Sequence, residues 1–93
     1  MKATTMTEAT ILDELRQVFR DGLGVDPIDP IQPETRFFAD LGLASIDAVV
    51  LGEAIQRHFE KTLPYDRLMA DIGARAERDI IIAELIAFLK VNL

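Results

Sequence analysis

The 93-residue chain is 49% hydrophobic and 28% charged, which is typical of one soluble domain with a single core. It contains no cysteine, and this excludes disulfides, thiol chemistry and cysteine zinc sites. Its net charge of −6 argues against a nucleic-acid partner, because neutralising phosphates requires clustered Lys and Arg.

The chain begins with residues 1–6, which we expect to form a loose terminus without the apolar run of a signal peptide. No apolar stretch is long enough to span a bilayer, so we expect a cytoplasmic protein. Apolar residues then recur every three or four positions and predict a helix over residues 7–22. Thr7 is a typical N-cap, and Gly22 and Gly24 mark the end.

A long connection follows, with prolines at positions 27, 30 and 33. Proline at this density excludes a regular helix and restricts a strand to a sheet edge. We therefore predict an ordered loop, and loops of this length in a small domain are often functional. We expect Phe37, Phe38 and Leu41 to attach the far end of the loop to the core.

The second helix is predicted over residues 45–61, and Pro64 stops it. The side chains expected to face the core are Ile46, Val49, Ile55 and Phe59, helped by Leu51 or Gly52. The positions expected to be exposed are Asp47, Val50, Glu53, Ala54, Arg57 and Lys61. Gly52 lies inside this helix, where glycine costs up to about 1 kcal/mol relative to alanine. It leaves room either for cargo or for close packing, and close packing is the commoner reason.

Two further helices complete the prediction. A short one covers residues 66–72, and the last covers residues 80–91 with Asp79 as its expected N-cap. The result is an all-α fold, a small four-helix bundle with three longer helices, a short third helix and a long first loop. We expect it to form a single domain over residues 1–93. Such a bundle does not by itself indicate a function.

Ser45 opens the second predicted helix and has several possible roles. A catalytic serine needs a general base, and the single histidine, His58, lies about 20 Å further along the same helix. A hydrolase is therefore not expected, because no general base lies within reach of Ser45. A single histidine also cannot supply the histidine pair of a helical zinc site, so we expect His58 to face solvent. Ser45 as a plain N-cap would explain a serine here. The positive end of the helix dipole would equally favour a phosphate at this position.

Residues 35–64 carry a more specific pattern. A phenylalanine and an Asp-Leu-Gly precede the serine, an apolar residue and an aspartate follow it, and the helix leads to a phenylalanine and an apolar-proline turn. These positions are Phe37, Asp40-Leu41-Gly42, Ser45, Ile46, Asp47, Phe59 and Leu63-Pro64. The pattern resembles the attachment region of the acyl carrier protein family, and the resemblance extends over roughly residues 8–90.

The resemblance implies a carrier and not a catalyst. In that family a phosphopantetheinyl transferase moves 4′-phosphopantetheine from coenzyme A to the serine, here Ser45, and the terminal thiol holds an acyl group as a thioester. It implies further partners among acyl-activating, acyltransferase or ketosynthase enzymes, in fatty acid, lipid or polyketide synthesis. A monomer without nucleic-acid binding or membrane insertion is expected. An imported thiol also explains how a chain without cysteine performs thiol chemistry.

Several residues near the serine depart from the usual family pattern. The residue before the serine is usually Asp and here is Ala44, while Val50 and Arg57 stand where acidic residues are usual. Glu53 stands where the family often has an apolar pocket residue, and we expect it to turn outward and pair with Arg57. We therefore expect a specialised carrier. The residues expected to contact partners are Asp40, Ala44, Ile46, Asp47, Val50 and Arg57.

Two alternatives remain open from the sequence. A peptidyl or aminoacyl carrier has the same fold and the same modified serine, but it usually has a glycine pair before the serine region. Here Leu43 follows Gly42, which favours acyl cargo. The other alternative is an unmodified helical module that binds partners by contact alone. The intact Ser45 argues against such a module, whereas Ala44, in place of the usual Asp, is compatible with it.

Overall fold

The computed structural model describes residues 6–93, which form four α-helices and contain no β-strand. The helices are α1 (Glu8–Leu23), α2 (Ser45–Phe59), α3 (Tyr65–Gly73) and α4 (Ile82–Asn92). The predicted all-α four-helix bundle, with a short third helix and a long first loop, is confirmed. The loose terminus expected over residues 1–6 lies, apart from Met6, outside the described residues. No helix in residues 6–93 combines the length and the apolar character needed to cross a bilayer.

The ends of α1 follow from local sequence. The hydroxyl of Thr7 accepts a hydrogen bond from the N–H of Thr10 at 3.1 Å, and Gly24 ends the helix in the left-handed region with φ 70°. Gly22 has a different role, since a Cβ there would lie only 2.8 Å from the Cβ of Ala54. This glycine therefore lets α1 and α2 approach each other closely.

The long connection between α1 and α2 is ordered by its own contacts with the bundle. Ile31 and Phe37 are buried in the core. The Arg16 side chain donates to the carbonyl of Ile31 at 2.9 Å, and the N–H of Phe37 donates to the carbonyl of Ile80 at 2.9 Å. The loop is thus attached to α1 at one end and to the segment before α4 at the other.

The buried face of α2 differs from the prediction. Its buried residues are Ala48, Leu51, Gly52, Ala54 and Ile55. Ile46 and Val49, expected in the core, are 66% and 57% exposed, while Ala54, expected outside, is buried. The physical reason is that the small side chains of this face admit close neighbours, so the branched residues are left on the solvent side.

The start of α4 also differs from the prediction. Asp79 does not cap this helix, because Ile81 is the N-cap and α4 begins at Ile82. The preceding residues pair instead with the long loop, in an antiparallel bridge between Arg36 and Ile81 and a hydrogen bond from the N–H of Ile82 to the carbonyl of Thr35. These contacts hold Ile81 in an extended conformation and keep residues 79–81 outside the helix.

Candidate functional site

Ser45 is the first residue of α2 and is exposed to solvent. The N-cap is Ala44, with extended backbone angles, so the plain-cap interpretation of Ser45 is wrong. The carboxylate of Asp47 provides the capping hydrogen bond, accepting from the N–H of Ala44 at 2.8 Å. Within residues 6–93 the Ser45 hydroxyl has no hydrogen-bond partner, and it is accessible from solvent.

The turn before Ser45 is fixed by backbone geometry. The N–H of Gly42 donates to the carbonyl of Phe38 at 3.1 Å, and Gly42 has a φ of 66°, which a residue with a Cβ adopts only at a cost. The Asp40 carboxylate accepts from the N–H of Arg36 at 2.8 Å. Asp40, expected to contact partners, thus also has a structural role inside this turn.

Asp79 fixes the other side of the same turn. Its carboxylate accepts hydrogen bonds from the N–H groups of Phe38, Ala39 and Ile80 at 2.9, 3.2 and 2.8 Å. Partial burial raises the pKa of Asp79, but these three donors and the charge of Arg36 lower it by more, so the pKa lies below its ordinary value. Sequence reasoning missed this role, because an aspartate before an apolar run is usually a helix cap.

An apolar patch lies directly beside Ser45 on α2. It consists of Ile46, Val49 and Val50, which are 66%, 57% and 37% exposed. Their spacing of three and four residues places them on one side of the helix. The sequence predicted exposure for Val50 alone, so the patch is larger than expected. Exposed apolar groups that cluster in this way are typical of protein-binding surfaces.

The charged residues further along α2 have different surroundings. Glu53 and Arg57 are both exposed, and the ion pair expected between them is not among the salt bridges of residues 6–93. His58 is exposed, as expected, but its Nε2 lies 2.6 Å from a carboxylate oxygen of Glu14 and so links α2 to α1. It lies near the opposite end of the helix from Ser45, where it cannot serve as that residue's base.

Tyr65 is a second feature that sequence reasoning missed. Its hydroxyl donates to the carbonyl of Ala48 at 2.7 Å, and its ring lies against Gly52, where a Cβ would collide with it. The ring also meets Phe88 of α4 edge to face, with 6.4 Å between centroids. Burial raises the pKa of Tyr65 above its ordinary value. Gly52 therefore serves close packing. A glycine inside a helix was the sequence feature that could have indicated a large neighbouring side chain here.

The site fits a group attached through a phosphodiester. Such an attachment requires a hydroxyl that an enzyme can reach, and Ser45 supplies one. The free N–H groups and the dipole of the 15-residue α2 favour a phosphate at this end. None of the hydrogen bonds found within residues 6–93 joins this hydroxyl to a histidine or a carboxylate.

Comparison with known proteins agrees with this geometry. A family model described as a phosphopantetheine attachment site matches residues 13–73. The chain is 41% identical over 51 residues to acyl carrier protein 2 of Ralstonia nicotianae, covering 55% of this chain and 62% of that protein, which is under two thirds of its length. It is 30% identical over 80 residues to the acyl carrier protein of Campylobacter curvus, covering 86% of this chain and 92% of that protein. A similar protein of Picosynechococcus sp. is 35% identical over 74 residues.

Proposed function

The chain belongs to the phosphopantetheine attachment family of carrier proteins, and we propose that it carries acyl groups on an arm attached to Ser45. The cofactor of this family is 4′-phosphopantetheine, which supplies a terminal thiol for thioester formation when bound. The observation that carries the proposal is the exposed hydroxyl of Ser45 at the start of α2, without a hydrogen-bond partner within residues 6–93. The names of the similar proteins support acyl over peptidyl cargo.

The residues of this chain present the hydroxyl and do not activate it. The Gly42 turn and the Asp47 cap set the direction in which α2 begins, and this keeps Ser45 accessible. In the transfer, the Ser45 oxygen would bond to the phosphorus, and the bond from that phosphorus to the adenosine bisphosphate part of coenzyme A would break. The hydroxyl proton would pass to a base on the partner transferase, because His58 is too distant. Acyl-activating, acyltransferase or ketosynthase enzymes would then act on the loaded arm.

The finer proposal is a specialised pathway in lipid or polyketide synthesis. The patch of Ile46, Val49 and Val50 gives partners an apolar contact beside the attachment point. Val50 and Arg57 stand where acidic residues are usual in the family, so this face of α2 offers a basic partner fewer carboxylates. Since complementary charge chiefly sets encounter rate and partner choice, we infer partners with a less basic and more apolar surface.

Intact mass after incubation with coenzyme A and a broad-specificity phosphopantetheinyl transferase tests the attachment. Ser45 is the only serine in the chain, so the expected gain is one phosphopantetheine on the parent and none on Ser45→Ala. Thr62→Ala is the matched control, since Thr62 is an exposed hydroxyl outside the site, and it should gain the group like the parent. Absence of any gain with several transferases would contradict the proposal and favour a module that acts by contact alone.

A further inference from the structure

The inward side of α2 next to Ser45 is occupied by the side chain of Tyr65. This residue is only 6% exposed, although it opens the short helix α3. Its hydroxyl is held by the carbonyl of Ala48, and its ring fills the space that Gly52 leaves free. Phe88 of α4 meets the ring edge to face. Tyr65 thus joins α2, α3 and α4 at one point.

The contacts of Tyr65 lie on the path from the attachment residue into the core. Ala48 and Gly52 stand three and seven residues after Ser45, or about 4.5 and 10 Å along the axis of α2. Both face the interior of the bundle. A chain attached at Ser45 that turned back along the inward side of α2 would meet the side chain of Tyr65 there, because its hydroxyl lies at Ala48 and its ring at Gly52.

Displacing the Tyr65 ring would remove several stabilising contacts at once. The hydroxyl would give up its hydrogen bond to Ala48, and the ring would leave an open space beside Gly52, because glycine has no side chain to fill it. A short acyl chain brings too little apolar surface to offset these losses, since the gain scales with the area removed from water.

We propose that Tyr65 closes the interior of the bundle to cargo, so that the acyl group of this carrier is short or polar and stays outside the core. The proposal rests on the proposed function, since it concerns the group that the arm on Ser45 carries. A groove of about 410 Å³ offers no alternative route from α2, because it is lined by residues of α1, the long loop and α4. Leu12, Pro33 and Ile86 are among them.

The test compares acetyl with octanoyl cargo, each loaded from its coenzyme A thioester by the transferase and verified by intact mass. For the parent we expect the melting temperatures of the two loaded forms to agree within about 2 °C. Tyr65→Leu removes the ring, and its octanoyl form should melt roughly 4 °C or more above its acetyl form. Tyr65→Phe keeps the ring and lacks only the hydroxyl, so it should show the small difference of the parent.

If Tyr65→Leu fails to fold, measurements on the parent protein alone still test whether Tyr65 excludes the cargo. Hydroxylamine should cleave octanoyl from the parent protein as fast as it cleaves free octanoyl-pantetheine, because the thioester stays in solvent. Slower cleavage by fivefold or more, or an octanoyl-dependent rise in the parent's melting temperature, would overturn the proposal. An equal melting temperature for both forms of a folded Tyr65→Leu would also overturn it. Failure to load Ser45 is seen in the mass beforehand and overturns the proposed function itself.

Discussion

The carboxylate of Asp79 joins two parts of the chain that are 40 residues apart in sequence. It accepts N–H groups of Phe38 and Ala39 in the turn that leads to Ser45, and so it connects the segment before α4 with the candidate site. The carboxylate of Glu84 has a related role nearby, since it accepts from the N–H of Ile81 at 3.0 Å and pairs with Arg75. Both carboxylates stabilise loop backbone that no helix or strand would satisfy.

Replacing Asp79 should therefore destabilise the protein. Asp79→Ala leaves three backbone N–H groups without their acceptor, and we expect the free energy of unfolding in urea to fall by about 1–2 kcal/mol. Asp79→Asn retains one acceptor oxygen and is the matched control, with a smaller loss. Equal stability of parent and Asp79→Ala would show that solvent replaces the carboxylate at no cost.

The same residue should contribute to the pH dependence of stability. The pKa of Asp79 is lower in the folded protein than its ordinary value, which is about 4 in an unfolded chain. Its contribution is therefore fully present above about pH 4 and is lost as the pH falls through the folded pKa. Between pH 6 and the acid range, the parent should lose more stability than Asp79→Asn. Parallel curves for the two proteins would contradict this assignment.

At the scale of an element, α2 shows what the sequence determines and what it leaves open. The position of the helix follows from the Gly42 turn and from Pro64, and both were evident from the sequence. Its orientation was not, because apolar residues occur on nearly every side of it, and periodicity then gives no unique inward face. Small residues decide instead, since Gly52 and Ala54 admit close neighbours, and this depends on partners distant in sequence.

The start of α4 was missed for a related reason. Residues 79–81 have the composition of a helix beginning, but the long loop competes for their backbone groups. The prediction that Ser45 opens the second helix depended on local sequence only, and the structure agrees with it. The role of Tyr65 depends on contacts with two other helices, and local sequence does not contain them.

Close packing of α2 against Tyr65 can be tested by adding one methyl group. In Gly52→Ala the new Cβ would collide with the ring of Tyr65, and overpacking of this kind costs typically 1–3 kcal/mol. This exceeds the gain of up to about 1 kcal/mol from better helix propensity. We therefore expect a lower melting temperature. Gly73→Ala is the control, because nothing lies within 4 Å of its new Cβ, and a comparable loss there would remove the packing explanation.

At the scale of the whole molecule, the net charge contrasts with the apolar character of the surface beside Ser45. The net charge is −6, yet the surface beside Ser45 is apolar, and Arg57 lies further along the same helix. Overall acidity favours encounter with basic proteins in general. We propose that selection among them depends on the apolar patch of Ile46, Val49 and Val50, because a partner with a matching apolar surface would bury it.

This separation predicts how the carrier behaves with enzymes of general fatty acid synthesis. The loaded protein should be a poor substrate for them, because Val50 stands where the family usually has an acidic residue that could pair with a basic partner. Val50→Glu adds one charge at an exposed position beside Ser45, and it should raise the initial elongation rate severalfold at low salt. The rise should shrink at high ionic strength, since exposed charges are screened. Thr62→Glu adds the same charge away from the patch and controls for net charge. Efficient elongation of the parent, or an equal rise in both variants, would mean that the patch does not select partners.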